Sequence, residues 1–171
     1  MNFKKLLISL FVVMFALNIG NAKAYAAEES TDNEQDKEIT ADYSEKDLRL
    51  LSALIYCEAQ SEIYRGKIAV GIVVMNRVRS DKYPDSVKEV IYQKSQFSPA
   101  SSGSLEEALE QYDKGNFTSK DERECIKAAK LALSGQTSIT IKEEEVDFSK
   151  FLSFSRRVSG YKLQLGNHQF K

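Results

Sequence analysis

The chain has 171 residues, 42% of them hydrophobic, and its 25 acids nearly balance 24 bases for a net charge of −1. That length fits a single domain with enough apolar material for a core. The even charge excludes a chain that binds polyanions along its whole length, and two cysteines with one histidine are too few for a four-ligand structural zinc site.

The first residues read as an export address. Lys4 and Lys5 precede an apolar run from Leu6 to Ile19, broken only by Ser9 and Asn18. Small-residue patterns follow at Ala22-Lys23-Ala24 and Ala24-Tyr25-Ala26. Together they predict a secretory signal over residues 1–26, cleaved after Ala24 or Ala26. An uncleaved anchor is the competing reading, although the run is short for a membrane span. After cleavage no stable membrane anchor is expected, and the protein should leave the cytoplasm. Residues 27–43 carry seven acids and one base with no hydrophobic period, the composition of a disordered linker. The remaining 44–171 hold 18 acids and 20 bases, a slight basic excess compatible with an anionic polymer substrate.

The globular part opens with an amphipathic helix over Ser44–Gln60. Ser44 can cap it, with Asp47 three residues on, and Leu48, Leu51, Leu54 and Ile55 recur at helical spacing. At 3.6 residues per turn, Glu58 points nearly the same way as Leu51. A carboxylate within an apolar stripe is costly unless partnered. It is either a helix-end glutamate reaching solvent or a carboxyl that holds its proton tightly enough to act as a general acid. Ser61 to Gly66 reads as a turn. The run Lys67–Val78 is a strand by propensity, or a helix buried on all sides, with Gly71 allowing a close neighbour. Asn76 inside it needs a hydrogen-bond partner.

Ser86–Lys94 predicts a short helix and Gln96–Gly103 a loop. Ser104 caps a helix lined by Leu105, Ala108, Leu109 and Tyr112, and Ser119 with Glu122 caps another that carries Cys125 and stops at Gly135. Beyond Ser138 the pattern shifts to short strands around an aromatic cluster of Phe148, Phe151 and Phe154. The expected class is α+β, mainly helical, with a small C-terminal β-sheet. In a non-reducing compartment Cys57 and Cys125 are candidates for a bridge between two helices.

Several chemistries stay open at this level. Glu58 and Glu62 lie four apart, so two carboxylates could share glycoside hydrolysis, or Glu62 could be a solvated helix-end residue. His168, the lone histidine, could pair with Cys57 as a nucleophilic dyad or serve only as a structural hydrogen-bonder. Phosphate-binding glycine loops and nucleophile elbows are absent, as is any basic stripe interleaved with aromatics, so neither a nucleotide cofactor nor a nucleic-acid partner is expected.

The block Leu51–Val78, with Tyr56-Cys57-Glu58-Ala59-Gln60-Ser61-Glu62 and Asn76-Arg77-Val78, resembles the opening of the SleB-type cell wall hydrolase family, the spore cortex-lytic enzymes and their vegetative relatives. Tyr83-Pro84, Val90-Ile91-Tyr92, Gln96-Phe97, Ala128-Ala129, Ala132-Leu133-Ser134-Gly135 and Leu165-Gly166-Asn167-His168-Gln169-Phe170 follow in family order. The resemblance covers about residues 45–171 and favours the helical reading of Lys67–Val78. It implies a lysozyme-like, lytic-transglycosylase-like catalytic domain over residues 44–171, acting on peptidoglycan glycan strands in the cell wall or spore envelope. It implies Glu58 as the acid and needs no cofactor or metal. Gln96, Phe97, Phe154 and His168 become candidates for the glycan groove. A wall-binding protein without activity, and a hydrolytic muramidase using Glu58 and Glu62, are the alternatives. The chain departs from the family at Ser61, where Gly is common, and at Phe154-Ser155-Arg156, where Phe-His-Asn is common.

Overall fold

The computed structural model describes residues 43–171; the signal and most of the linker expected over residues 1–43 lie outside that range. Six helices come first: α1 Glu45–Ala59, α2 Tyr64–Val78, α3 Val87–Tyr92, α4 Pro99–Ser102, α5 Ser104–Asp113 and α6 Lys120–Leu133. Five short strands follow: β1 Ser138–Ile141, β2 Glu144–Asp147, β3 Phe154–Ser155, β4 Leu163–Leu165 and β5 His168–Phe170. β1 and β2 form an antiparallel hairpin, and β3, β5 and β4 form a separate antiparallel sheet in that spatial order. The α+β, mainly helical expectation holds, with two small sheets where one was expected.

The core is the junction of α1, α2 and α6, with α6 packed across both of the others. Leu51, Leu54 and Ile55 of α1 are fully enclosed, as are Val70, Ile72 and Val73 of α2. Burying each such side chain is worth about 1.5–3 kcal/mol. Gly71 is where the three helices meet. A Cβ there would stand 2.9 Å from the Ala132 Cβ of α6 and 3.2 Å from the Ile55 Cδ1 of α1. That closeness explains a glycine in mid-helix, where it otherwise costs stability.

Capping sets the helix starts. The Ser44 Oγ accepts from the Asp47 backbone N–H, Ser86 does the same for Glu89, and Ser119 and Glu122 form a reciprocal capping box. Gly135, at φ +95°, follows the end of α6. Three local expectations change. The turn expected over residues 61–66 is cut short, because α2 begins at Tyr64, three residues ahead of the apolar run. The expected loop from Gln96 to Gly103 contains the one-turn helix α4, started by Pro99. Ser104 is not a cap: Gly103 holds that place at φ +90° with no side-chain bond.

Lys67 is the least expected core residue. Its side chain is fully buried, and its Nζ donates to Asp121 and Glu124 at 2.7 Å each, tying α2 to the first turns of α6. Burial pulls its amine down, but the two carboxylates more than reverse that, so its pKa ends raised. Asn76 finds its partners in the backbone, donating to the carbonyls of Phe148 (2.7 Å) and Phe151 (3.0 Å). It thereby fastens the irregular segment leading to β3 against α2. There Phe148, Phe151, Phe154 and Phe170 stack edge-on or tilted, with ring centroids 5.2 to 6.2 Å apart.

Candidate active site

The C-terminal end of α1 carries Glu58. The helix packs its apolar stripe into the core, and Glu58 itself is half-buried. Burial alone raises its pKa above the ordinary glutamate value. Among the described residues, no hydrogen bond or ion pair engages its carboxyl. A carboxyl that holds its proton more tightly than usual is suited to giving it to a bound molecule.

Glu62, four residues later, is in a different state. It follows the last turn of α1, its N–H bonded to the Ala59 carbonyl at 3.0 Å, and it is buried. Its two carboxylate oxygens accept from the Asn167 backbone N–H and the Asn167 Nδ2, each at 2.9 Å. Two glycines make room for it. A Cβ on Gly66 would stand 3.1 Å from the Glu62 Cβ, and one on Gly166 would overlap the Glu62 Oε2. Gly166 also sits at φ +59°, a conformation that favours glycine. The β4–β5 turn is thus pinned to the junction of α1 and α2. Glu62 is neither a solvated residue nor a free second carboxylate.

The groove candidates Phe97, Phe154 and His168 are brought together. Phe154 lies 6.3 Å from Phe97 and 5.1 Å from His168, centroid to centroid. Phe97 and His168 are buried, while Phe154 keeps part of its surface and Gln96 is exposed. Gln96 accepts from Arg77 Nη1 at 3.1 Å, and Arg77 Nε donates to the Leu152 carbonyl at 2.7 Å. The buried Arg77 guanidinium lies over the rings of Tyr83 and Phe97 at 5.2 and 5.0 Å. Arg77 therefore joins the 93–98 loop to the C-terminal segment. Its place between Asn76 and Val78 in an apolar helix was the one sequence signal for that role.

Among the described residues the His168 Nδ1 is enclosed without a partner, and burial pushes the imidazole's pKa down against the pull of the nearby Glu62 carboxylate. Cys57 and Cys125 do not bridge: both are free thiols. Cys57 donates to the Ser104 carbonyl of α5 at 3.4 Å, whereas Cys125 is fully enclosed on α6 on the side facing Lys67. Desolvation holds the Cys57 thiol up to about 11 and Cys125 to about 12, so neither is a thiolate near neutral pH. That, and the absence of a Cys57–His168 bond among the described residues, argues against a cysteine nucleophile. A shallow recess of about 410 Å³ beside the α1 terminus is lined by Tyr56, Cys57, Gln60, Ser104, Glu107 and Gln111, among others, and Glu58 is not in its wall. Among the described residues no cluster of three acidic, histidine or cysteine side chains is placed to hold a metal, and no helix is long and apolar enough to cross a membrane.

The chain matches known proteins along most of this domain. The family described as Cell Wall Hydrolase matches residues 61–170, a range that begins three residues after Glu58. The spore cortex-lytic enzyme of Halalkalibacterium halodurans is 32% identical over 80 residues, 47% of this chain and 24% of that protein. That of Bacillus cereus is 31% identical over 88 residues, 52% of this chain and 34% of its own. That of Bacillus subtilis is 36% identical over 63 residues, 37% of this chain and 21% of its own. The chain therefore spans about a fifth to a third of the length of these relatives. The fold is shared with the catalytic domain of the germination-specific lytic transglycosylase SleB from Bacillus anthracis, at a TM-score of 0.51 and 22% identity over 75% of this chain and 96% of that one. With more than half of its residues matched by the family, and with the helix-first, sheet-last fold its sequence anticipated, this chain belongs to the cell wall hydrolase family.

Proposed function

We propose that the protein is an exported lytic transglycosylase that cleaves peptidoglycan between N-acetylmuramic acid and N-acetylglucosamine, with Glu58 as its one acid–base group. The observation that carries this reading is the Glu58 carboxyl: half-buried, raised in pKa by desolvation, and unclaimed by any described side chain. In the reaction Glu58 gives its proton to the glycosidic oxygen and the C1–O bond breaks. The muramoyl C6 hydroxyl then bonds to C1 and returns its proton to Glu58. The products are a 1,6-anhydromuramoyl end and a free N-acetylglucosamine end, with no water consumed. Because the sugar supplies the nucleophile, one carboxyl suffices. The engagement of Glu62 with Asn167 favours this scheme over a muramidase that needs two free carboxylates.

On this reading residues 1–26 direct export, 27–43 form an acidic linker ahead of the domain, and 44–171 do the chemistry in the wall or spore cortex. Phe154 and Gln96, which keep exposed surface, contact the glycan, and Phe97 and His168 back them. The names of the relatives, spore cortex-lytic enzymes and a germination-specific lytic transglycosylase, agree with this reading. Digestion of purified peptidoglycan by the wild type and by Glu58→Gln tests it. Turbidity loss and new muropeptides with the wild type, and neither with Glu58→Gln, support the reading. Sacculi that bind both proteins with no cleavage by either make the protein a wall binder.

A further inference from the structure

We infer that Glu62 is a positioning residue whose side chain latches the β4–β5 turn to the α1–α2 junction and so sets where the C-terminal segment with His168 and Phe154 stands relative to Glu58. The inference rests on the glycan-cleaving reading above and assigns the second glutamate of the Glu58–Glu62 pair a task other than chemistry.

The geometry is that of a built socket. Both oxygens of a buried carboxylate are used on one residue, Asn167, at 2.9 Å each. The walls of the socket are backbone, since Gly66 and Gly166 leave space that any Cβ would occupy. The turn held in this way leads directly into β5. Its first residue, His168, packs on Phe154, which in turn packs on Phe97. A displacement of the turn therefore passes along three rings to the 93–98 loop. The α1 end that holds the latch also carries Glu58, so the same contact registers the acid and the C-terminal segment. A shift of about 1 Å in such a constellation can cost about 100-fold in rate.

A latch and a catalytic carboxylate predict opposite substitution patterns. Glu62→Gln keeps the length and an oxygen for the Asn167 N–H, and Asn167 can rotate its amide to present Oδ1 to the new NH2 group. Glu62→Asp keeps the charge but is one methylene too short to span the socket. For a catalytic carboxylate, Gln abolishes the reaction and Asp retains part of it. The four proteins to compare are wild type, Glu62→Gln, Glu62→Asp and Glu58→Gln, with kcat and KM measured on purified glycan strands. Glycan binding to the Glu62 variants in the Glu58→Gln background is measured alongside.

We expect Glu62→Gln to stay within about fivefold of wild type in kcat/KM. Glu62→Asp should lose about 10- to 100-fold, chiefly in KM, with matching loss of binding in the Glu58→Gln background. The pH profile of kcat should keep its shape in both. Glu62→Gln falling as far as Glu58→Gln, with KM unchanged and Glu62→Asp active, overturns the latch while leaving glycan cleavage intact. Full activity in Glu58→Gln overturns the reading beneath it instead. Should Glu62→Asp fail to fold, Asn167→Ala replaces it: loss in KM alone agrees with the latch, and wild-type kinetics contradicts it.

Discussion

Two glutamates four residues apart occupy opposite environments. Glu58 lies on the last turn of a regular helix, half-buried, with no described partner. Glu62 lies just beyond the helix, more deeply buried, with both oxygens occupied. Burial without a partner raises an acid's pKa and leaves its proton available; burial with donors on both oxygens satisfies the carboxyl's acceptors and leaves none for a substrate. Lys67 obeys the same rule as Glu62, its buried amine held by Asp121 and Glu124. Of these three buried or half-buried side chains, only Glu58 has no described partner, and its proposed role as the acid rests on that contrast.

The contrast breaks most visibly at Glu58. Glu58→Gln should lower the rate of glycan cleavage by about 100- to 10,000-fold, the usual contribution of a general acid, as read from release of soluble muropeptides. A loss under tenfold would place the proton donor elsewhere. Gly166→Ala attacks the other member of the pair. Its Cβ would overlap the Glu62 Oε2 and its backbone would be held at φ +59°, so about 1–3 kcal/mol of stability should be lost in urea unfolding. An unchanged midpoint would mean that the socket is loose.

The pH dependence sharpens the comparison further. The proposed mechanism starts from protonated Glu58, so kcat should fall as pH rises through its raised pKa. That alkaline limb should lie above the ordinary glutamate range and be unaltered in the Glu62 variants. A limb at the ordinary glutamate value would remove the desolvation argument. Stability follows with the same sign. A carboxyl whose pKa is higher folded than unfolded binds its proton more tightly when folded, so stability declines as pH rises from the ordinary value through the raised one. Glu58→Gln should therefore be more stable than wild type at pH 7 and equal to it at pH 3, as read from the urea midpoints. The smallest effect is expected at Cys57, a protonated thiol on a carbonyl: Cys57→Ala should keep activity within about twofold.

The helical half was legible because its signals are local. Caps at Ser44, Ser86 and Ser119, apolar residues at helical spacing, and a glycine at a three-helix contact can all be read within a few residues. Glu58 could be singled out for the same reason, since its place in the stripe is a property of one helix. Glu62 could not be read in this way. Its partner Asn167 is 105 residues away, and a glutamate after a helix end looks solvated until the chain returns to cover it. The cysteines show the opposite failure. Both lie on neighbouring helices, but a bridge depends on the direction of each thiol, and one turns to Ser104 while the other turns to the α2–α6 interior. Phe97 and His168 read as groove residues from their motif positions; their burial beside the partly exposed Phe154 depends on how distant segments pack and could not be read there.

The end groups of the digested glycan decide whether one carboxyl is enough. Mass spectrometry of the muropeptides released by the wild-type protein should find 1,6-anhydromuramoyl ends, two hydrogens and one oxygen lighter than reducing ends, and none of either with Glu58→Gln. Reducing muramoyl ends from the wild type would require a water and a second catalytic group, and would contradict the assignment of all proton transfer to Glu58.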